Sequence, residues 1–434
     1  MIEDINITNK SPEFDKAFNV LNDSSDNLFI TGKAGTGKST FLEYLKTHTK
    51  KKIAVLAPTG VSALNIKGQT IHSFFKFKPR LLTRDSIKAK RDNRIYKKLQ
   101  MLVIDEISMV RADVFDAIEY FLRINGPEVG KPFGGVQICV IGDLFQLPPI
   151  VSFAEKEVFY NMYENPFFFA SEAFNMANFG VVEFNEVYRQ SEEYFVRLLN
   201  RVRIGDVNQK IIDFVNNRCA FSFENEKKLS VTLTTTNKIA DQINLQRLQK
   251  ISSEEFCYEG KIIGDFLLKE DKLPAPLNLK LKVGSQVMFT RNDPKKKWVN
   301  GTIGTVTRLS ENRIIVEVED ANGKLSHEVK KEVWESVEYS YDNASDKVKE
   351  EVKGEYLQYP IITAWAITIH KSQGKTLDDV VIDLGYGAFA SGQLYVALSR
   401  CRKFEKIILK RPITYKDVRC DYNVVKFSRG FVGN

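Results

Sequence analysis

Residues 32–39 read Gly32-Lys33-Ala34-Gly35-Thr36-Gly37-Lys38-Ser39 and fill every position of the phosphate-loop pattern G-x-x-x-x-G-K-[ST]. The apolar run 27–31 before them predicts a short buried strand, and residues 39–47 after them have apolar side chains at helical spacing. In such a strand–loop–helix unit, backbone N–H groups and the helix dipole both face a bound polyphosphate. This stretch therefore predicts a nucleoside triphosphate site in an α/β fold.

Within the loop, we expect Lys38 to reach the β- and γ-phosphates and the Ser39 hydroxyl to hold Mg²⁺. The other residues expected to bind the nucleotide are Gly32, Gly35, Thr36, Gly37 and Thr40. A second apolar strand, 101–104, ends in Asp105 and Glu106. One carboxylate there can bind Mg²⁺, and the other can orient and deprotonate the attacking water. Two acids at a strand end are often merely solvated, but beside a phosphate loop they predict triphosphate hydrolysis.

The composition excludes several classes of protein. The chain has 434 residues, of which 43% are hydrophobic and 27% charged, enough for two or three soluble domains. No apolar run is as long as a membrane span, so no membrane partner is expected. Five cysteines without a C-x-x-C pair indicate an intracellular protein, cytoplasmic in a bacterium and nuclear or mitochondrial in a eukaryote. We expect a monomer.

Positive charge is concentrated in residues 76–98, which contain ten Lys or Arg residues against Asp85 and Asp92. That local excess equals the net charge of the whole chain, +8, and would attract a nucleic-acid backbone. Phe75, Phe77 and Tyr96 lie among these charges, a pattern that favours stacking on single-stranded bases. The alternative interpretation of the charge run is a solvated, partly disordered surface segment.

The order of strand-like and helix-like runs predicts the domains. Residues 1–184 alternate strands near 27–31, 52–57, 101–104 and 136–141 with helices, which predicts a parallel sheet with its ligands at the carboxyl edge. Similar runs predict a second parallel α/β unit formed by 185–257 and 359–434. Between its two parts, 258–358 contain short strand-like runs divided by Gly and Asn turns, which predict a small inserted β-barrel.

Three polar side chains outside the phosphate loop are candidates for sensing the γ-phosphate. Gln146 lies in the run 141–149, which follows a predicted strand and ends in two prolines. Arg189 lies where the second α/β unit begins, and Arg400 lies near its end. A lone arginine is usually a surface charge or ion pair. Two arginines outside the phosphate-loop domain suit a nucleotide clamped between two domains, where each could act as an arginine finger.

Two similar turns each place a histidine and hydroxyl groups beside a strand end. Residues 70–75 read Thr-Ile-His-Ser-Phe-Phe, and residues 363–374 run from an apolar strand through His370-Lys371-Ser372 to Gly374. A single histidine of this kind is more often a packing residue than a ligand contact. One such turn in each α/β unit suggests paired grips on one nucleic-acid strand.

In this order, these segments resemble the superfamily-one DNA helicases of the Pif-type (petite integration frequency) family, which are related to RecD-like helicases, over about residues 10–430. The stretch 106–137 resembles the segment that distinguishes Pif-type enzymes from other RecD-like motors. The resemblance implies two RecA-like motor domains, an inserted SH3-like barrel, and ATP with Mg²⁺ as cofactors. It also implies 5′→3′ translocation on single-stranded DNA and unwinding of duplexes, forks and G-quadruplexes, with roles in DNA repair, recombination and telomere maintenance. Single-stranded DNA, single-strand/duplex junctions and G-quadruplex DNA are the implied partners.

Carried over by position, the resemblance implies that Gln146, Arg189 and Arg400 contact the γ-phosphate. The candidate DNA contacts are Thr59, Gly60, His72, Ser73, Phe74, Thr235, Asn237, His370, Lys371 and Ser372. Such helicases usually read adenine with a glutamine before the phosphate loop. The comparable residue here is Phe14, so adenine selectivity stays open.

Two alternatives remain beside a helicase. A guanine-nucleotide switch would need N-K-x-D, but residues 237–241 read Asn-Lys-Ile-Ala-Asp, one residue too long. The other is a nucleic-acid binding module without unwinding activity, in which the barrel merely anchors the chain.

Overall fold

A computed structural model describes residues 11–218, 229–266, 268, 270, 273–295, 297–320, 323–342 and 347–430. Six parallel strands form the first sheet in the order β3-β2-β4-β5-β1-β6. They are β1 Asn27–Gly32, β2 Ile53–Ala57, β3 Gln69–Thr70, β4 Met101–Ile104, β5 Gln137–Ile141 and β6 Phe179–Phe184. Its central strands are buried along their whole length, as expected for a sheet covered by helices on both faces.

The helices of this part of the chain surround the sheet. They are α1 Pro12–Asp23, α2 Lys38–His48, α3 Gly60–Asn65, α4 Ile71–Phe75, α5 Arg94–Lys98, α6 Ala112–Asn125, α7 Lys156–Met162 and α8 Glu172–Met176. Helix α1 begins after Ser11, whose hydroxyl accepts a hydrogen bond from the backbone N–H of Phe14. Helix α6 is amphipathic and buries its apolar face, including Phe115 and Phe121, in the main core.

A second parallel sheet has four strands in the order β18-β7-β19-β20. Its strands are β7 Val231–Thr234, β18 Ala366–Thr368, β19 Val380–Asp383 and β20 Ile407–Leu409. The helices of this part are α9 Glu193–Arg203, α10 Gln209–Asn216, α11 Asn237–Gln249, α12 Gln393–Ser399 and α13 Tyr422–Arg429. The first strand of this sheet, β7, lies far from the other three in the chain because an antiparallel segment separates β7 from β18.

That segment is antiparallel throughout its described pairings. It contains β8 Glu255–Glu259, β9 Lys261–Gly264, β10 Asn278–Lys282, β11 Gln286–Phe289, β12 Ile303–Ser310, β13 Arg313–Asp320, β14 Gly323–Val329, β15 Glu332–Asp342, β16 Lys347–Gln358 and β17 Ile361–Thr363. They form a five-stranded sheet β14-β13-β12-β11-β17, a pair β10-β8 and a three-stranded sheet β15-β16-β9. The antiparallel strands therefore extend a few residues beyond the predicted limits of 258 and 358.

The β15–β16 hairpin packs against the first sheet, a contact that the sequence did not predict. The Tyr339 hydroxyl donates a hydrogen bond to Val55 O at 3.3 Å and accepts one from Val55 N at 3.1 Å. The ring of Tyr339 meets the ring of Phe74 edge-on, with centroids 5.7 Å apart. The antiparallel segment thus contacts the phosphate-loop part of the chain as well as the second sheet.

The basic segment 76–98 differs from its prediction in one respect. Phe75 and Tyr96 are buried, and the Tyr96 hydroxyl donates to Phe74 O at 2.8 Å. Phe77 packs against the same core. The prediction that these aromatic rings stack on bases is therefore wrong, because their rings form the hydrophobic core beneath the segment. The cations themselves lie at the surface, and Lys76, Arg84 and Arg94 pair with Glu338, Glu172 and Asp92.

Among the described residues, every helix is too short or too polar to pass through a membrane.

Candidate nucleotide site and nucleic-acid interface

The phosphate loop lies between β1 and α2, at the carboxyl edge of the first sheet. Gly35 and Gly37 have φ angles of 84° and 83°, a left-handed conformation that would strain other residues. A Cβ added to Gly35 would lie 2.7 Å from the Cβ of Arg189, so glycine also allows the chain before α9 to approach the loop. Helix α2 starts at Lys38 with its N-terminus at the loop, the geometry that attracts an anion. Ser39 and Thr40 lie exposed in its first turn.

Lys38 turns back onto the loop in this structure. Its Nζ donates to Gly32 O at 2.7 Å and to Lys33 O at 2.8 Å. Removal from water lowers the pKa of Lys38, and the negative charges of Asp143, Glu106 and Asp105 oppose that shift. The ammonium group is thus held over the loop by carbonyl oxygens that a phosphate can replace as its partners.

Asp105 and Glu106 lie at the carboxyl end of β4. Glu106 has a φ of 52°, a left-handed conformation for a residue with a side chain, and such strain often marks functional sites. Burial raises the pKa of Asp105, and burial together with the charge of Asp105 raises the pKa of Glu106. Two carboxylates in this position need a cation, and carboxylate and hydroxyl oxygens are the donors that Mg²⁺ prefers. Asp105 and Ser39 supply oxygen donors of this kind, and their binding of Mg²⁺ stays a prediction.

Gln373, for which the sequence suggested no role, joins the two sheets at this site. Its Nε2 donates to Glu106 Oε2 at 2.9 Å and to Gln146 Oε1 at 3.3 Å. Gln373 follows the turn at 370–372 after β18, whereas Glu106 and Gln146 follow β4 and β5 of the first sheet. The structure thereby places the predicted Gln146 beside the predicted base. The sequence pattern marks the turn itself, but it points only to the residues before Gln373.

Arg189 and Arg400 also come to this cleft. Arg400 follows the last residue of α12 and is 1% exposed; its Nε donates to Val396 O at 3.0 Å. Burial and the charge of Arg189 lower the pKa of Arg400 to about 9. The Nη1 of Arg189 donates to Ser399 O at 3.2 Å, and the backbone N–H of Tyr188 donates to Gly35 O at 2.9 Å. Arg189 therefore lies against the phosphate loop, and both guanidinium groups lie near the end of α12; their contact with a γ-phosphate stays a prediction.

A buried network around Asp143 was not predicted. The Nη2 of Arg203 donates to Asp143 Oδ1 at 3.0 Å, and its guanidinium lies 4.1 Å from the ring centre of Phe145. The Tyr395 hydroxyl donates to Asp143 Oδ2 at 3.0 Å and accepts from the backbone N–H of Ala34 at 2.9 Å. Burial alone would raise the pKa of Asp143, but the charges of Arg203 and Lys38 hold it below its ordinary value. Asp143 therefore stays ionised and keeps both partners.

Most of the candidate DNA contacts lie at the carboxyl edges of the two sheets. Thr59 and Gly60 follow β2, and His72 and Ser73 follow β3. Thr235 and Asn237 follow β7, and His370 and Lys371 follow β18. These are the edges at which α/β sheets bind ligands. Burial lowers the pKa of both histidines, so both are neutral near pH 7. Their contact with DNA stays a prediction.

Two of the candidates are corrected by the structure. Phe74 is 3% exposed, and its ring packs against Phe75, Tyr96 and Tyr339. Ser372 is fully buried, and its hydroxyl donates to Ile369 O at 2.7 Å. Neither side chain is at the surface, so direct contact of these side chains with DNA is wrong for this conformation. Both stabilise the turns on which the neighbouring histidines lie.

Phe14 occupies a purely apolar environment. Its ring meets the rings of Phe41 and Tyr44 edge-on, with centroids 5.0 Å and 5.3 Å away. The side chain therefore offers no polar group to a nucleotide base.

The phosphate loop lies on one RecA-like parallel sheet, and arginines and a glutamine approach its cleft from the part of the chain that forms the second sheet. This arrangement defines the P-loop helicase fold. The family model for PIF1-like helicases matches residues 9–212. The chain is 31% identical over 402 residues to ATP-dependent DNA helicase Pif1 of Bdellovibrio bacteriovorus, covering 90% of this chain and 85% of that protein. It is 32% identical to human ATP-dependent DNA helicase PIF1. That alignment covers 92% of this chain and 60% of the human protein.

Solved structures agree with these sequence relatives. Unliganded Pif1 from Bacteroides sp. superposes with a TM-score of 0.87 at 36% identity, covering 98% of both chains. A Bacteroides Pif1 complex with ADP-AlF3 and single-stranded DNA superposes with a TM-score of 0.69 at 36% identity, covering 98% of this chain and 97% of that one. The arrangement described here is thus more similar to the unliganded relative. The chain belongs to the PIF1-like helicase family, and its enzyme class is that of the DNA-dependent ATPases and DNA helicases.

Proposed function

We propose that this chain hydrolyses ATP with Mg²⁺ in the cleft between the two parallel sheets and thereby moves 5′→3′ along single-stranded DNA. The observation that supports the proposal most strongly is the contact of Gln373 with Glu106 and Gln146. It joins a predicted DNA-contacting turn of the second sheet to the predicted hydrolysis site of the first. A change at either one therefore reaches the other, which is the coupling that a translocating ATPase needs.

Each group in the cleft has a proposed task. Lys38 leaves the carbonyl oxygens of its loop and binds the β- and γ-phosphates. Glu106 orients the attacking water and accepts its proton, because its carboxylate faces the cleft and burial makes it a better base. Mg²⁺, held by Ser39 and Asp105, would supply positive charge to the phosphate oxygens. Arg189 and Arg400 stabilise the charge that develops on the transferring phosphate.

The DNA strand would lie across the carboxyl edges of both sheets. The proposed contacts from the first sheet are Thr59, Gly60, His72 and Ser73. The proposed contacts from the second sheet are Thr235, Asn237, His370 and Lys371. Closing the cleft on ATP brings the two sets together, and opening it after hydrolysis moves them apart. Alternating grip on the two sets would advance the strand. The first motor domain would be formed by residues 1–184. The second would be formed by residues 185–257 together with 359–434, and residues 258–358 would be an SH3-like domain inserted in it.

Polarity and substrate range follow from the family resemblance. We infer 5′→3′ movement, unwinding of duplexes, single-strand/duplex junctions and forks, action on G-quadruplexes, and function as an intracellular monomer. Repair, recombination and telomere maintenance are the processes in which such unwinding would be used.

The decisive test is strand displacement on matched duplexes with either a 5′ or a 3′ single-stranded tail. Displacement that requires the 5′ tail and hydrolysable ATP supports the proposal, whereas displacement that requires the 3′ tail contradicts its polarity. ATP turnover is measured in parallel with and without poly-dT. Equal turnover in both conditions would contradict the coupling and favour a DNA-binding module.

A further inference from the structure

Tyr395 links the second sheet to the phosphate loop. It lies within α12, is 3% exposed, and places its hydroxyl between two groups of the first sheet. The hydroxyl donates to Asp143 Oδ2 at 3.0 Å and accepts from Ala34 N–H at 2.9 Å. Ala34 belongs to the phosphate loop itself, and Asp143 follows β5 at the same edge. One side-chain oxygen therefore connects helix α12 to the nucleotide loop.

The acceptor of this hydrogen bond is held in place from its other side. Asp143 Oδ1 accepts from Nε and Nη2 of Arg203 at 3.2 Å and 3.0 Å, and from the backbone N–H of Phe145 at 3.2 Å. Burial and the negative charge of Asp143 raise the pKa of Tyr395, so the hydroxyl keeps its proton and remains the donor. The link is therefore charge-assisted and preorganised.

The helix that Tyr395 anchors ends at the predicted catalytic arginine. All seven residues of α12, Gln393–Ser399, are buried, and Arg400 follows directly. The guanidinium is tied to the helix, because Nε donates to Val396 O at 3.0 Å and Nη2 donates to Ser399 Oγ at 2.8 Å. Arg189 reaches the same helix end by donating to Ser399 O at 3.2 Å. The position of α12 therefore sets the position of the Arg400 guanidinium, whereas Arg189 is also anchored at the loop, because the neighbouring Tyr188 N–H donates to Gly35 O at 2.9 Å.

The start of α12 also approaches the first sheet closely. Gly392, which precedes α12, has a φ of 74° and leaves no room for a Cβ against the backbone oxygens of Phe145 and Gln146. Tyr395 thus lies at a contact where the two sheets already meet, and its hydroxyl fixes the register of that contact.

We propose that Tyr395 is a positioning residue for hydrolysis: its hydroxyl fixes α12 against the phosphate loop and so aligns Arg400 with the transferring phosphate. This inference rests on the role given to Arg400 in the proposed function. An arginine that acts on developing charge is sensitive to small displacements, because catalytic electrostatics depend on preorganisation. Losing the hydroxyl should therefore slow hydrolysis without removing any group that touches the nucleotide.

Tyr395→Phe tests this directly, since it removes the hydroxyl and keeps the ring. A hydrogen bond of ordinary net strength corresponds to a change in rate of about threefold to tenfold. We expect kcat of DNA-stimulated ATP hydrolysis to fall by that amount, while KM for ATP changes by less than about twofold, because the misalignment acts in the transition state. The matched control is Tyr163→Phe, whose hydroxyl donates to a carboxylate oxygen of Asp116 at 2.8 Å away from the cleft. The control should keep the parental kcat. A parental kcat in Tyr395→Phe would overturn the inference.

A double-mutant cycle separates positioning from general loosening of the fold. If Tyr395 acts through Arg400, then Tyr395→Phe should change the single-turnover rate by less than about twofold in an Arg400→Ala background. An undiminished effect in that background would overturn the inference while leaving the role of Arg400 intact. Parental turnover in Arg400→Ala alone would overturn the role of Arg400 in the proposed function, and the inference with it.

Discussion

The side-chain amide of Gln373 donates a hydrogen bond to Oε2 of Glu106 at 2.9 Å, across a separation of 267 residues in the chain. Glu106 is the proposed base for hydrolysis, and Gln373 follows the turn that contains His370 and Lys371. A movement of that turn on DNA therefore changes the surroundings of the base directly. This contact gives DNA-stimulated hydrolysis a specific physical route.

We predict that Gln373→Ala lowers DNA-stimulated turnover by about tenfold, the cost of one hydrogen bond to a charged group. DNA affinity should stay within about twofold of the parent, because Gln373 is not among the proposed DNA contacts. Steady-state ATP hydrolysis with and without poly-dT, together with fluorescence anisotropy on the same strand, measures both. Gln373→Glu is the near-isosteric comparison: it replaces the donor by a third carboxylate beside Glu106 and Asp105 and should be slower still. A parental ratio of stimulated to basal turnover in Gln373→Ala would contradict this route.

Lys38→Ala should abolish ATP hydrolysis while leaving the fold and DNA binding largely unchanged. Among the described residues, Lys38 Nζ donates hydrogen bonds only to groups of its own loop, so its removal breaks few contacts that hold the fold together. Turnover is measured by phosphate release, folding by thermal melting, and DNA binding by anisotropy. Measurable turnover close to that of the parent would show that the phosphate loop is not the hydrolysis site.

Arg189→Ala should reduce turnover strongly with a modest loss of ATP affinity. Arg189 lies against Gly35 of the phosphate loop, and arginine fingers contribute about 10³–10⁵ in rate. Single-turnover hydrolysis gives the chemical rate, and binding of a non-hydrolysable ATP analogue gives the affinity. Arg197→Ala is a suitable control, because Arg197 is exposed on α9 and pairs with Glu193. Normal hydrolysis by Arg189→Ala would assign that arginine to structure alone.

The parts of the site that the sequence predicts are local. A phosphate loop needs its glycines and lysine within a few residues, and the buried strands around it are recognisable from their apolar runs. The contacts of Gln373 with Glu106 and of Tyr395 with Asp143 join residues 267 and 252 positions apart. Only the packing of one sheet against the other brings these pairs together, so no spacing in the chain could indicate them.

The aromatic residues among the cations are a point at which the prediction from sequence was wrong. Phe75 and Tyr96 lie at or within a basic run, and from the sequence alone that pattern favours base stacking. The structure decides for the core, since Phe75 of α4 and Tyr96 of α5 pack against Phe121 of α6, while the cations of α5 lie exposed.

Phe74→Ala should destabilise the protein rather than weaken DNA binding selectively. Its ring contacts Tyr96 and Tyr339, with centroids 5.3 Å and 5.7 Å away, and a buried Phe-to-Ala change costs about 3–5 kcal/mol. Urea unfolding measures that loss. DNA affinity, measured at a temperature where the variant is fully folded, should be close to that of the parent. A variant of parental stability that binds single-stranded DNA much more weakly would return Phe74 to the DNA interface.

The basic segment 76–98 should strengthen DNA binding through its cations and not through its aromatic rings, which are buried. It directly follows the His72 turn, so its exposed cations would lie beside a strand bound at that edge. Lys and Arg at a surface mostly meet phosphates and carry little sequence information. Neutralising Lys88, Lys90, Arg91 and Arg94 together should weaken binding to poly-dT and to a mixed-sequence strand equally. The slope of log affinity against log salt should fall by about 0.7 for each DNA phosphate that no longer meets a cation. A salt titration of both proteins on both strands measures this.

The quadruple variant offers an internal control. Since Arg94 already pairs with Asp92, restoring Arg94 should recover less DNA affinity than restoring Arg91. Parallel slopes for the variant and the parent would show that the segment is a solvated surface.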